Sequence, residues 1–155
     1  MPHETLGRLN KELCARWSGR VVTALYCLAD EKNRKIQAVS AGHGPVLVYR
    51  HQNKTIEEIP LKGSPPLGVM DDSIYDSVTF SMQPNDECIL FSDGCTEARD
   101  LQGNEFGIDR IKTCILENAG ISPQKTLESL KKSLSDFFYK SQQYDDITVI
   151  VLTLD

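Results

Sequence analysis

This chain lacks most of the features that announce a compartment or a ligand. Its 155 residues hold one tryptophan, and aromatic residues make up 7% of them. No apolar run approaches the ~20 residues that cross a bilayer. The opening, Met1-Pro2-His3-Glu4, has no signal-peptide character. No membrane association is therefore expected. Basic residues are not in excess: 17 Lys and Arg stand against 22 Asp and Glu, a formal net charge of -5. Scattered cations with no interleaved aromatic stripe argue against a nucleic-acid partner. The three histidines, His3, His43 and His51, form no H-x-x-x-H pair, and no Cys/His zinc pattern occurs. Nucleophile elbows, P-loops and dinucleotide fingerprints are also missing.

Cysteine is sparse. Cys14, Cys27, Cys88, Cys95 and Cys114 are odd in number and form no C-x-x-C. Most read as small buried thiols in a reducing cytoplasm. Cys95 follows an Asp-Gly pair and is expected to be the most exposed of the five. It has no basic neighbour in sequence to activate it.

What is present is enough for one domain with a real core. Leu6, Leu9, Leu13 and Trp17 share a helical face, and Gly19 is placed to end that helix. Residues 20–30 carry an apolar run and read as a strand. Glu31-Lys32-Asn33-Arg34 reads as a turn, and residues 35–41 as the returning strand. Gly42-His43-Gly44-Pro45 interrupts, Val46-Leu47-Val48-Tyr49 continues, and residues 55–59 pair back after a second turn. Together these predict consecutive antiparallel meanders. Val78, Phe80 and Met82 alternate as in a half-buried strand. Ile108, Ile111, Ile115 and Leu116 suggest a helix. Ser122-Pro123 is an N-cap followed by proline at the first helical position, opening a helix with Leu127, Leu130, Leu134, Phe137 and Phe138 on one face. The pattern predicts α+β architecture, with antiparallel strands and helices segregated to the sheet faces.

Two acidic motifs stand at the ends of apolar runs. Ser92-Asp93-Gly94 ends Cys88-Ile89-Leu90-Phe91. Tyr144-Asp145-Asp146-Ile147-Thr148 leads into a last strand over residues 147–152. If the two strands are antiparallel neighbours, Asp93 and Asp145 meet at one sheet edge. Carboxylates gathered in this way recruit a hard cation such as Mg²⁺ or Mn²⁺. The bland alternative is that Asp-Gly after a strand is only a turn. His43, between two glycines, either orients a ligand or hydrogen-bonds within a tight turn.

Five motifs in order resemble one family. They are Ala41-Gly42-His43-Gly44-Pro45, Pro66-Leu67-Gly68, Phe91-Ser92-Asp93-Gly94-Cys95-Thr96-Glu97-Ala98-Arg99, Gly103-Asn104-Glu105-Phe106-Gly107 and Asp145-Asp146-Ile147-Thr148. The set is similar to the stage II sporulation protein E-like branch of the metal-dependent protein serine/threonine phosphatases (PPM). The resemblance implies an α-β-β-α sandwich of two antiparallel sheets with helices outside. It implies hydrolysis of phosphoserine or phosphothreonine by water, with two Mn²⁺ or Mg²⁺ ions. Asp93 and Asp145 match metal-binding positions, and Asp146 stands where it supports them through water. Gly94 is expected to permit a tight turn that keeps Asp93 at the sheet edge. The implied substrate is a phosphorylated protein, of the anti-anti-sigma-factor kind in partner-switching pathways.

One part of the family pattern is absent. Its first strands carry an Asp-x-x-Gly-His-Gly motif whose Asp bridges both metals. Here Gly42-His43-Gly44 is preceded by Ser40-Ala41, with no Asp at the needed place. Residues 1–155 are therefore expected to form a single phosphatase-type domain truncated at its N-terminal side, a partial sandwich in which metal binding is weak or absent. The alternative is a non-catalytic phosphatase-like module that binds a partner or forms a homodimer through an exposed sheet edge.

Overall fold

The computed structural model describes residues 1–16, 19–138 and 145–154. Trp17 and Tyr144, singled out above, lie outside them. The described residues fall into two compact units: Met1–Pro45 with Ile59–Met82, and Val46–Glu58 with Gln83–Asp155. Among the described residues, each carries one antiparallel sheet, the first with one helix and the second with three.

The first unit begins with α1 (Pro2–Arg16), followed by β1 (Ala24–Asp30) and β2 (Lys35–Ala41), and is completed by β5 (Ser77–Ser81). The sheet order is β1-β2-β5. The polar turn closes β1 onto β2, with Asp30 paired to Lys35 and Ala24 to Ala41. Arg34 takes a positive φ there. The strand starts at Ala24 rather than at residue 20. Val22 instead exchanges two backbone hydrogen bonds with Leu67, 3.0 and 2.8 Å.

The face of α1 differs from the apolar count. Leu6 is buried, but Leu9 is 47% exposed and Asn10 is fully buried in its place. Position 10 lies one turn on from Leu6, so helical geometry fits either choice. Asn10 is selected by bonding: its Oδ1 accepts from Gly68 N at 2.8 Å, and its Nδ2 donates to the Met70 carbonyl at 2.7 Å. Around it Leu6, Val39, Ala41, Leu67 and Tyr75 form the core of this unit.

The second unit holds β3 (Val46–Arg50), β4 (Thr55–Ile59), β6 (Glu87–Phe91) and β7 (Val149–Leu152), in the order β4-β3-β6-β7. This corrects the continuous meander: β3 and β4 do not extend the β1–β2 hairpin but belong to a different sheet. The chain changes sheets at residues 42–45, where Gly42 has φ +68° and a Cβ would sit 2.6 Å from the Pro66 ring. His43 serves this turn: its backbone N–H donates to Ser40 Oγ at 3.0 Å, and its carbonyl accepts from the same hydroxyl. The next strand to pair with β2 is β5, from Lys35–Ser81 to Val39–Ser77.

Helices α2 (Asp93–Thr96), α3 (Gly107–Asn118) and α4 (Pro123–Phe137) complete the second unit. Ser122 caps α4 as expected, its hydroxyl accepting from Lys125 N. Leu47, Tyr49, Ile89 and Phe91 on one sheet face pack with Phe106, Ile111, Ile115, Leu130 and Leu134. Cys114 joins this core, whereas Leu116 is exposed. Each fully buried Leu, Ile or Phe contributes about 1.5–3 kcal/mol.

A buried carboxylate fastens the turn before β6. Asp86 accepts from Gln83 N at 2.9 Å, His51 N at 2.9 Å and Arg50 Nη1 at 2.7 Å. Burial pushes the Asp86 carboxyl up, but these donors outweigh it and hold the group below its ordinary range. A depressed folded-state value stabilises the fold above the unfolded value of about 3.9, and that contribution fades as pH falls through the folded value. Urea unfolding should therefore show Asp86→Asn to be destabilised by roughly 1–3 kcal/mol at pH 7. The deficit should shrink below about pH 4. Parallel stability curves for the two proteins over that range would refute the assignment.

Candidate active site

Strands β6 and β7 are antiparallel neighbours, with Phe91 opposite Val149 and Cys88 opposite Leu152. The C-terminal end of β6 and the N-terminal end of β7 thus share one sheet edge. Asp93 follows the first and Asp145 precedes the second, so the two carboxylates predicted from sequence are brought to the same end.

The ladder does not stop at Phe91. Ser92 N donates to the Thr148 carbonyl at 3.0 Å. Its hydroxyl accepts from Thr148 N at 3.0 Å and donates to the Asp146 carbonyl at 3.1 Å. Sequence reasoning gave Ser92 no role of its own. The available signal was a serine at the last strand position facing a threonine on the neighbouring strand.

Helix α2 starts at Asp93. The Asp93 carbonyl accepts from Glu97 N and Thr96 Oγ1, both at 2.9 Å. The side chain is exposed, and its Oδ1 accepts from Gly94 N at 3.0 Å. Asp145 is also exposed and accepts from Asp146 N at 2.8 Å. Neither residue is buried against hydrocarbon.

Gly94 stands in the tight turn that Cys95 N closes onto the Ser92 carbonyl at 3.0 Å. It lies within α2, and its further importance is steric. A Cβ there would stand 2.4 Å from the Asp146 carbonyl oxygen and 3.6 Å from the Asp145 carbonyl carbon. Only glycine lets the start of α2 lie directly on the 145–146 backbone. The expectation for Cys95 is corrected. It is fully buried, its Sγ 3.4 Å from the Thr148 carbonyl. Burial raises its thiol above the ordinary value, against the opposing effect of its hydrogen bonds with Ser92 and Thr148. A buried, neutral thiol is no nucleophile.

The donor set at this edge is oxygen only, and carboxylates are hard ligands suited to Mg²⁺ or Mn²⁺. Among the described residues no group of three His, Cys, Asp or Glu converges to hold a metal. Asp93 and Asp145 are of the ligand type a hard cation takes, but two carboxylates do not by themselves make a two-ion centre.

The sequence profile of Stage II sporulation protein E (SpoIIE) matches residues 1–155. The chain belongs to the stage II sporulation protein E family. It is 29% identical to the phosphoserine phosphatase RsbU of Bacillus subtilis, over 97% of this chain and 44% of that protein. It is 26% identical to protein IcfG of Synechocystis over 130 residues, 84% of this chain and 20% of that protein. The chain thus spans less than half the length of either relative. Among solved structures, the SiaA-PP2C domain of Pseudomonas aeruginosa superimposes with a TM-score of 0.84 at 19% identity, over 99% of this chain and 60% of that one. The SpoIIE phosphatase domain of Bacillus subtilis, in a crystal form without domain swapping, gives 0.72 at 19% identity, over 96% and 63%. The α+β fold with two antiparallel sheets is therefore the fold of PP2C-type phosphatase domains.

For this member of the SpoIIE family, the Gly94 contact generates a direct test. Gly94→Ala should cost about 1–3 kcal/mol in urea unfolding, the range for overpacking a tight site. The resonances of residues 145–148 should shift with it. An alanine variant of unchanged stability and spectrum would show that this close approach is not required.

Proposed function

We propose that the chain carries a metal-dependent phosphoprotein phosphatase site at the β6–β7 edge, acting on phosphoserine or phosphothreonine. The observation that carries this reading is the juxtaposition of two exposed carboxylates, Asp93 and Asp145, held by the Ser92 clasp and the Gly94 contact. Membership of the SpoIIE family and likeness to RsbU, itself named a phosphoserine phosphatase, support it. Both compact units are taken as parts of one phosphatase-type domain.

In this reading Asp93 and Asp145 hold Mn²⁺ or Mg²⁺, and Asp146 backs them through water. A bound ion supplies acidification of water and neutralisation of phosphoryl charge. The chain's own residues supply position. Ser92 fixes the height of the 146–148 backbone, and Gly94 fixes its distance from α2. No Ser or Cys nucleophile is called for, in keeping with the buried Cys95. The substrate is a phosphorylated protein of the anti-anti-sigma-factor kind. The setting is the cytoplasm, in keeping with five free thiols. No helix among the described residues is long and apolar enough to cross a membrane.

A second reading is favoured by one observation: among the described residues no group of three metal-ligating side chains is assembled, where two-ion chemistry needs more. It makes the chain a non-catalytic interaction module or a homodimer joined at a sheet edge. Strand β1 is such an edge, with Tyr26 and Leu28 exposed along it.

Calorimetric titration with Mn²⁺, paired with hydrolysis of a phosphoserine peptide, separates the two. The phosphatase reading expects weak Mn²⁺ binding that Asp93→Asn and Asp145→Asn each reduce. It expects slow hydrolysis by the 155-residue chain. Fusing an N-terminal segment that bears Asp-x-x-Gly-His-Gly should raise the rate by about a hundredfold or more, as repositioning does. Asp93→Asn should erase that gain. Undiminished Mn²⁺ binding in both variants would place the ion elsewhere and leave the module reading.

A further inference from the structure

The first unit holds a loop, residues 68–75, whose backbone is fixed while its apolar side chains are turned outward. Asn10 reaches it from α1, donating to the Met70 carbonyl at 2.7 Å and accepting from Gly68 N at 2.8 Å. The two-way pairing of Val22 with Leu67 anchors its leading end. Gly68, at φ +88°, lies so close to the Arg20 carbonyl oxygen that a Cβ would be 2.5 Å from it. Ser73 folds back onto Met70, its hydroxyl 2.7 Å from the carbonyl oxygen. Tyr75 is buried in the core and closes the far end.

Between these anchors Val69 is 48% exposed, Met70 52% and Ile74 78%, and Val21 and Val22 are exposed on the adjoining segment. Isolated exposed apolar residues need no explanation, but a group of them on one loop does. A free loop would relieve the exposure by folding its apolar side chains inward. This one is prevented by a buried asparagine that spends its hydrogen bonds on the loop backbone. Asp71 and Asp72 stand in the middle, exposed, and their carboxylates take no hydrogen bond or ion pair among the described residues. Unpaired carboxylates beside apolar anchors are complementary to Lys or Arg beside Leu, Ile or Val. They oppose nucleic-acid phosphates and anionic lipid surfaces. A backbone already fixed also avoids the ordering cost of binding.

We propose that residues 68–75 form a docking surface for a cationic, apolar segment of a protein partner. Met70 and Ile74 are the anchors, and Asp71 and Asp72 are the charges that select the partner. The proposal does not rest on the phosphatase reading.

The probe is a fluorescent amphipathic helical peptide of Leu and Lys, titrated against the whole chain and followed by anisotropy, beside a Leu and Glu peptide of the same pattern. Saturable binding of the Leu/Lys peptide alone is expected. Met70→Ser combined with Ile74→Ser should raise its Kd about tenfold. Asp71→Asn combined with Asp72→Asn should weaken binding and flatten its salt dependence. Leu116→Ser, which removes an exposed apolar residue of α3, should leave the Kd unchanged. Thermal unfolding checks that each variant folds. Equal binding of the two peptides would overturn the proposal, as would loss through Leu116→Ser as large as through the loop variants. Retention of affinity in both loop variants, or capture of the chain by phosphatidylglycerol vesicles through Met70 and Ile74, would also overturn it.

Discussion

The approach of Gly94 to the Asp146 carbonyl is the constraint on which the candidate site depends. The start of α2 lies on the backbone that leads into β7, at a spacing no side chain fits. That single contact joins two segments some fifty residues apart in sequence. Ser92 reinforces it with three hydrogen bonds to the same stretch of chain. Asp93 and Asp145 are each one residue from this contact. Both side chains are exposed, and backbone packing sets where their main chain lies. Rigid backbone behind exposed ligands is how a site stays both accessible and pre-formed.

The site stands on a core that the sequence describes well. Alternating inward residues of β3 and β6, Leu47, Tyr49, Ile89 and Phe91, are covered by the apolar faces of α3 and α4. The Asp86 clasp sets the entry to β6, and the Ser92 clasp extends its exit. A strand held at both ends in this way is a fixed platform. The identity of the chain as a SpoIIE-family member agrees with that arrangement, since the fold is shared across relatives at under 20% identity.

Legibility followed the range of the interaction. The β6–β7 pairing and its two aspartates were readable because apolar runs and acidic ends are local signals. The cap of α4 was readable for the same reason. The sheet membership of β3 was not, because an apolar run ending at a Gly-Pro turn does not say which neighbour it will find. Asn10 was missed because periodicity counts apolar residues, and its burial is justified only by the Gly68 and Met70 backbone nearly sixty positions away. For Gly94 the sequence gives only part of the reason. A tight turn is the local explanation of Asp-Gly, whereas the steric explanation needs Asp146. The same local logic predicts an exposed Cys95, which is buried. The resemblance supplied the roles of Asp93 and Asp145; the residues alone supplied only their meeting.

The most direct measurement is paramagnetic broadening of backbone amide resonances by substoichiometric Mn²⁺. A single hard-cation site held by Asp93 and Asp145 predicts that the amides of Gly94 and Asp146 broaden first, together and at the same Mn²⁺ concentration. Asp93→Asn should relieve both at once. Broadening centred elsewhere, or at one of the two segments without the other, would contradict the claim that this sheet edge is the metal site.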